Sequence, residues 1–105
     1  MDLLTHIKQL VIRRRIGWTV QALEQMLFDG LTREDVIESI VNARRLLLKR
    51  STSPGRRARR EKVCIIRGMS YSGFMIYTKG AIRKSRIGEV FYVMISAKRS
   101  EGGAG

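Results

Sequence analysis

The residues best suited to chemistry lie in two apolar runs within 73–100. Tyr77 and Lys79 are two positions apart in the first run, and Ser96 and Lys98 are two positions apart in the second. Side chains alternate across a pleated strand, so residues two apart share a face. A sheet face that carries a phenol, a hydroxyl and lysines among apolar residues can hold a polar ligand and exchange protons with it.

Strict alternation also predicts which neighbours these residues have. In the first run it groups Tyr77 with Met75 and Lys79 on one face. In the second run it predicts one face of Phe91, Val93, Ile95 and Ala97, and an opposite face of Val90, Tyr92, Met94, Ser96 and Lys98.

The charge of the chain indicates the class of ligand. The 105 residues have a formal net charge of +12, with 21 lysines and arginines against nine acidic residues. Residues 1–43 hold five basic and six acidic residues, whereas 44–99 hold sixteen basic residues against Glu61 and Glu89. Such a field attracts polyanions, of which nucleic acid is the usual one. We therefore expect the first part to be scaffold and the second to bind.

A dense basic cluster between residues 44 and 62 is the main candidate for phosphate contacts. Charge runs often form a solvated loop, but such loops usually contain acidic residues, and only Glu61 is present here. Counterion release favours nucleic-acid binding without indicating a sequence preference. Together with two residues of a later basic hairpin, the predicted contacts are Lys49, Ser51, Arg56, Arg57, Arg59, Arg60, Lys62, Arg83 and Lys84.

Several common chemistries have no support in the sequence. His6 and Cys64 are the single histidine and cysteine, which leaves no disulfide and no convincing metal-ligand set. No phosphate-binding glycine loop, nucleophile elbow or catalytic triad is present. No apolar run reaches membrane-spanning length, and Asp2 stands where a signal peptide would be basic. We expect no metal, no cofactor, no membrane partner and a cytoplasmic location.

Metal-free cleavage of RNA fits the remaining residues. The 2′-hydroxyl of RNA can attack the adjacent phosphate, so the protein must accept one proton, donate another and stabilise the extra negative charge. Lysine and tyrosine can transfer protons, and arginine remains a charge clamp. Glu61 could act as a base, although an ion pair with an arginine is the better interpretation. The candidate catalytic residues are Lys98, Tyr77, Lys79, Arg67 and Arg50, with acid and base unassigned.

Helix signals fill the first part of the sequence. Asp2 can cap a first helix over 2–15, and a second helix begins at Thr19 and ends at Gly30. Thr32 and Asp35 form a capping-box pattern at the start of a third helix. In the second helix the apolar spacing predicts four inward residues, Val20, Leu23, Met26 and Leu27.

Strand signals follow the helices. Strands are predicted over 63–66, 74–79 and 89–98, with hairpins at 68–73 and at 80–88. Segregated helices and strands indicate an α+β domain over 1–100, in which three N-terminal helices pack on a small antiparallel sheet of three to four strands. Residues 101–105 are expected to be a flexible tail.

The order of short motifs resembles a known protein family. HIKQLV and TVQAL are followed by RSTSP, EKVCIIRG, GFMIYTKG and FYVMISAKRS. This arrangement is similar to the small toxins of bacterial toxin–antitoxin pairs, above all the motility quorum-sensing regulator toxins, which have the RelE-type ribonuclease fold. The likeness spans nearly the whole chain, although RRARR and the basic 81–87 hairpin have no counterpart in the family.

The resemblance implies an activity, site residues and a partner. It implies a metal-independent endoribonuclease that cleaves messenger RNA, in which Lys98 takes the role of a terminal-strand lysine and Tyr77 that of a mid-sheet tyrosine. A further lysine of the family would fall at Lys49 or Arg50. Such toxins are usually neutralised by a small antitoxin, often one with a zinc-binding domain and a DNA-binding domain. We expect its contact surface to be acidic.

Two other hypotheses fit the composition. A non-catalytic RNA- or ribosome-binding protein would need the same charge, but it would need charge and aromatic platforms rather than a compact pocket of tyrosine, serine and lysines. A structural protein that binds an acidic partner through its basic surface is the third hypothesis, because a toxin and its antitoxin would make that same contact.

Overall fold

Three helices and five strands make up the part of the chain that the computed structural model describes, residues 1–50 and 61–100. In chain order they are α1 (Leu3–Ile12), β1 (Ile16–Trp18), α2 (Val20–Asp29), α3 (Arg33–Asn42), β2 (Leu46–Arg50), β3 (Lys62–Met69), β4 (Met75–Lys84) and β5 (Val90–Arg99).

The five strands form one mixed sheet in the order β1-β5-β4-β3-β2. The predicted RelE-like fold, with three N-terminal helices on an antiparallel sheet of three to four strands, is therefore wrong. β1 lies between α1 and α2 and pairs in parallel with β5, Gly17 opposite Val93. The sequence does not predict this strand because it has only three residues and contains a glycine, which is a breaker in pattern terms. The α+β class itself agrees with the structure.

The helix boundaries follow from capping residues and agree with the sequence analysis. Asp2, Thr19 and Thr32 are the N-caps of α1, α2 and α3, and each side chain accepts a hydrogen bond from a backbone N–H three residues on. Asp35 completes the capping box by accepting from the Thr32 backbone. Gly30 ends α2 in the left-handed conformation, with φ of 70°.

The buried stripe of α2 differs from the prediction. Leu27 is 83% exposed and Val20 is 71% exposed, whereas Ala22 and Met26 are buried. Two polar residues of the same stripe, Gln25 and Asp29, bind the backbone of β5. Apolar periodicity does not predict this arrangement because the inward face of α2 is partly polar. Leu27 consequently faces solvent.

The core lies between the helices and one face of the sheet. Ile7 and Val11 of α1, Val36 and Ile40 of α3, and Ile66 of β3 are each 0% exposed within it. The three helices together cover the face of Ile66, and within residues 1–50 and 61–100 no helix packs on the opposite face. We call this second face the open face; it is exposed at its charged positions on β3 and β5, whereas three of its apolar residues are buried.

A β-bulge in β5 reverses the predicted alternation. Lys79 of β4 pairs with Ser96 and Gly80 pairs with Met94, so Ile95 is an extra residue without a partner. Tyr92 and Met94 lie in the core, each 0% exposed. Because side chains alternate along a strand, one extra residue moves every later side chain to the opposite face of the sheet. Ser96 and Lys98 consequently lie on the face opposite Tyr92 and Met94, not on the same face as predicted.

β4 continues past the point at which the sequence predicts its end. Gly80 was expected to begin a hairpin, but β4 reaches Lys84 and the turn lies at 85–89. A Cβ at position 80 would overlap the ring of Tyr92, which crosses this position in the core. Gly80 is therefore needed to make room for an aromatic ring and not to form a turn. Burial in the core raises the pKa of the Tyr92 hydroxyl.

Gly68 permits the close contact between α3 and β3. A Cβ at this position would overlap the carbonyl oxygen of Ser39, which belongs to the helix backbone and cannot rotate away. We expect Gly68→Ala to lower the free energy of unfolding by about 3 kcal/mol, measured by chemical denaturation. Gly17→Ala is the control, because the atom nearest to its Cβ would be a Val93 methyl at 3.3 Å and not a helix backbone atom. Equal losses in the two variants would contradict this account.

Asp35 should make stability depend on pH. Hydrogen bonds from Ser72, and then from Thr32, lower the pKa of its carboxyl. Such a group stabilises the fold fully above its unfolded-state pKa of about 3.9 and loses that effect as pH falls through the lowered folded-state pKa. The stability difference between wild type and Asp35→Asn should therefore be constant near neutral pH and shrink below about pH 4.

The measurement is a series of denaturant titrations from neutral to acidic pH. Glu34→Gln is the control, since it removes the neighbouring carboxylate, whose ion-pair partner is the exposed Arg14. A wild-type advantage over Asp35→Asn that stays undiminished far into the acid range would rule out this role for the carboxyl.

Candidate active site

A row of three predicted catalytic side chains crosses the middle of the sheet on its open face. Arg67 of β3 pairs with Tyr77 of β4, and Tyr77 pairs with Lys98 of β5. Directly opposed residues on neighbouring strands have Cα atoms about 5 Å apart. The fold therefore brings Lys98 next to Tyr77, with Arg67 as the adjacent arginine.

The two cations of this row contact the tyrosine ring. The guanidinium carbon of Arg67 lies 5.3 Å from the ring centroid of Tyr77, and Nζ of Lys98 lies 5.5 Å from it. Both distances are within the range of cation–π interactions. Within residues 1–50 and 61–100 neither cation is in a salt bridge, so both charges are available to an incoming anion.

Lys79 lies one row further along the same face. It pairs with Ile65 on one side and with Ser96 on the other, and it is two residues from Tyr77, or about 7 Å along the strand. Ser96 is 4% exposed, and its hydroxyl donates to the Gln25 side chain at 2.6 Å. The serine is therefore committed to the scaffold, whereas Lys79 is half-buried beside the row.

Helix α2 holds the strand that carries Lys98. Beyond β1 no described strand pairs with the edge of β5, and α2 supplies hydrogen bonds to it instead. The side-chain oxygen Oε1 of Gln25 accepts from the backbone N–H of Ala97 at 3.0 Å, and the Asp29 carboxylate accepts from the backbone N–H of Arg99 at 2.8 Å. Four helical residues rise about 6 Å and two strand residues about 6.7 Å, so the spacings match.

Arg50, the fifth predicted catalytic residue, lies away from this row. It pairs with Lys62, five positions before Arg67 on β3, which corresponds to about 17 Å. The register also gives Arg50 and Lys62 the same face as Cys64 in the core, which is the helix side. Lys49 pairs with Val63 and shares the open face instead. Of the two alternatives for a strand lysine, only Lys49 lies on the face of Tyr77.

The remaining predicted nucleic-acid contacts differ in how available they are. Arg83 donates two hydrogen bonds of 2.8 Å to Glu61, which raises the pKa of the arginine. This ion pair agrees with the preferred interpretation of Glu61. Lys84 is exposed at the end of β4. Five predicted contacts lie outside the described residues: Ser51, Arg56, Arg57, Arg59 and Arg60.

A cavity of about 590 Å³ adjoins the row at Arg67. It lies where β3 continues past the start of β2, whose first residue, Leu46, pairs with Ile66. Arg44 and Arg45 line it together with apolar side chains from the sheet. These arginines belong to the predicted basic cluster but not to the predicted catalytic or nucleic-acid-binding residues. Only the pairing of β2 with β3 brings them close to Arg67.

A smaller cavity of about 300 Å³ lies on the other side of the row, between Lys98 and α2. Its lining includes the carboxylates of Glu24 and Asp29 and the ring of Phe28, which is 91% exposed. These residues are not among those predicted from the sequence. Glu24 is four positions before Phe28, as Gln25 is before Asp29, so all four lie on one side of the helix. Only the docking of α2 on β5 makes that side part of the site.

The described part of the chain gives two further observations. No three histidine, cysteine, aspartate or glutamate side chains among the described residues come together as a metal-binding group. Each described helix has ten residues, and none is long and apolar enough to span a bilayer.

Comparisons of the chain with models of known protein families, with curated proteins and with solved structures find no match.

Gln25 should be needed to hold the Lys98 strand in place. Gln25→Ala leaves the buried Ser96 hydroxyl and the Ala97 N–H without their acceptor. We expect the free energy of unfolding to fall by about 1–3 kcal/mol and amide exchange at Ala97 to accelerate. Gln21→Ala, at an exposed position of the same helix, should change stability by about 0.5 kcal/mol at most. Unchanged exchange at Ala97 in the Gln25 variant would show that α2 does not protect this edge.

Proposed function

We propose that this protein is a metal-independent endoribonuclease that cleaves messenger RNA, acting as the toxin of a toxin–antitoxin pair. The observation that carries the proposal is the row of Arg67, Tyr77 and Lys98 across three neighbouring strands. Two proton-transfer groups and a permanent cation meet on an open face without a carboxylate in salt-bridge contact among the described residues.

The chemistry requires nothing beyond such groups and the RNA itself. A base removes the proton of a 2′-hydroxyl, whose oxygen attacks the adjacent phosphorus and forms a cyclic phosphate. The bond from phosphorus to the 5′-oxygen of the next nucleotide breaks, and an acid protonates that oxygen. The extra negative charge on the phosphoryl oxygens has to be stabilised in between.

The three side chains of the row have complementary roles in this scheme. Arg67 binds the phosphoryl oxygens, since its guanidinium keeps its charge and offers paired donors. Lys98 and Tyr77 transfer the two protons, in an order that the proposal leaves open. Lys79, one row away, adds positive charge for the neighbouring phosphate. Arg50 is not part of this proposal because it lies at the far end of β2.

An antitoxin and a cytoplasmic location complete the proposal. An inhibitor has to neutralise the row, and acidic side chains placed against Arg67 and Lys98 would do so with steered, rapid association. The resemblance to known toxins supports a small partner of this kind, and the antitoxins of that family often have a zinc-binding domain. Messenger RNA is reached in the cytoplasm, and the single cysteine, which is buried, fits a reducing compartment.

One observation also favours a non-catalytic RNA-binding protein. Tyr77 is an aromatic ring on an open sheet face with cations on either side, and sheet aromatics of this kind stack single-stranded bases. This alternative predicts tight binding without cleavage, either by the protein alone or in the presence of ribosomes.

Substitutions in the row should separate cleavage from binding. We expect Lys98→Ala and Tyr77→Phe to lower the cleavage rate at saturating RNA by roughly 10²–10⁴ while RNA affinity stays nearly intact. Tyr77→Phe keeps the ring that Arg67 and Lys98 contact and removes only the hydroxyl. Single-turnover cleavage of labelled RNA, with and without ribosomes, gives the rate, and anisotropy gives the affinity.

Lys84→Ala is the matched control for these variants. It removes the same charge from an exposed lysine at the end of β4, and we expect weaker binding at most, with an unchanged rate at saturation. If both row variants cleave as fast as wild type, the active-site assignment is wrong. A wild-type protein that binds RNA and never cleaves it would support the alternative.

A further inference from the structure

The cavity beside Arg67 combines two kinds of surface. Three arginines, Arg44, Arg45 and Arg67, line it, and none of them is in a salt bridge within residues 1–50 and 61–100. The cavity therefore offers positive charge for an anionic group without a carboxylate of the described chain that would have to be displaced.

The sheet side of the cavity is apolar. Leu47 is 54% exposed and Met69 is 49% exposed, and the paired Met75 lies next to Met69. Long apolar side chains left half in water at a concave site are well suited to cover a flat ring, and methionine adapts its shape to the group it contacts. This wall and the arginines meet at Arg67.

Asn42 provides an orienting polar group at the rim. Its Nδ2 donates to the Met69 carbonyl oxygen at 2.8 Å, which fixes the orientation of the amide. Its Oδ1 has no partner among the described residues and remains an acceptor for a donor on a base edge. A ring, an anion and an edge donor are together the features of a nucleotide.

We propose that this cavity binds one nucleotide of an RNA strand, with the base against Leu47, Met69 and Met75 and a phosphate at Arg44 and Arg45. The site rests on the proposed function in one respect, since sharing Arg67 makes it the subsite next to the scissile phosphate. A volume of about 590 Å³ lies within the range of ligand pockets of about 300–1,000 Å³.

A nucleotide fits this site better than an acidic peptide. A peptide strand would run along the whole β2 edge and require an extended groove, whereas the cavity is local and includes only the first two residues of β2. The apolar wall would also have no use in binding carboxylates alone. A nucleotide base would place an aromatic ring next to the methionine methyl groups, whereas an acidic side chain would not.

The test follows the methionine methyl groups by NMR during a titration with adenosine monophosphate. The chain has five methionines, of which Met69 and Met75 line the cavity and Met26 and Met94 are buried in the core. We expect the ring current of the base to shift the Met69 and Met75 methyls in a saturable way and to leave Met26 and Met94 unchanged. Ribose 5-phosphate, which lacks the base, should not reproduce these shifts.

Variants then test the phosphate contacts. We expect Arg45→Ala to weaken binding of adenosine monophosphate by about tenfold, because it removes a charge-assisted contact. Arg13→Ala, at the exposed end of α1, removes the same charge elsewhere and should leave the affinity unchanged. Leu47→Ala should reduce the advantage of the nucleotide over ribose 5-phosphate.

Three outcomes would overturn the proposal: absent Met69 and Met75 shifts, equal shifts with ribose 5-phosphate, or an affinity that Arg45→Ala does not change. Displacement of the nucleotide by a glutamate-rich peptide at lower concentration would identify a protein-docking surface instead and would also overturn it. Because the titration requires no cleavage, nucleotide binding by a protein that never cuts RNA refutes the ribonuclease proposal alone. Cleavage without nucleotide binding refutes the subsite alone.

Discussion

The register of β4 against β5 is the constraint on which the candidate site depends, and one extra residue sets it. Ile95 has no partner in β4, so the strand changes face between Met94 and Ser96. Before the bulge β5 contributes large side chains to the core. After it the strand presents Lys98 to the open face, opposite Tyr77. Without the bulge the lysine would point toward the helices, where a charge is costly to bury.

The end of β5 needs support, because its outer edge extends past β1. α2 provides it through side chains that act like a neighbouring strand: Gln25 and Asp29 accept from alternate N–H groups of β5. The same helix turns Glu24 and Phe28 toward Lys98. Scaffold and site are therefore not separate halves of this protein, since one helix both holds the strand and forms part of the surroundings of its lysine.

Charge and packing are divided between the two faces of the sheet. The helix side is apolar, and two glycines allow it to close: Gly68 against α3 and Gly80 under Tyr92. The open side carries Arg67 and Lys98 around a tyrosine. Like charges can lie this close because the face is open to water, which screens their repulsion, and an anionic ligand would relieve it.

Local properties of the sequence were sufficient to predict the helix ends and the strand positions of two site residues. Caps such as Thr32 and Gly30 set the helix ends, because they act within one turn of chain, and the strand positions of Tyr77 and Lys98 follow from local alternation. The tertiary structure alone decided the rest. Three features depend on partners distant in sequence, so no local period encodes them: the pairing of β1, the bulge at Ile95, and the cavity that Arg44 and Arg67 both line.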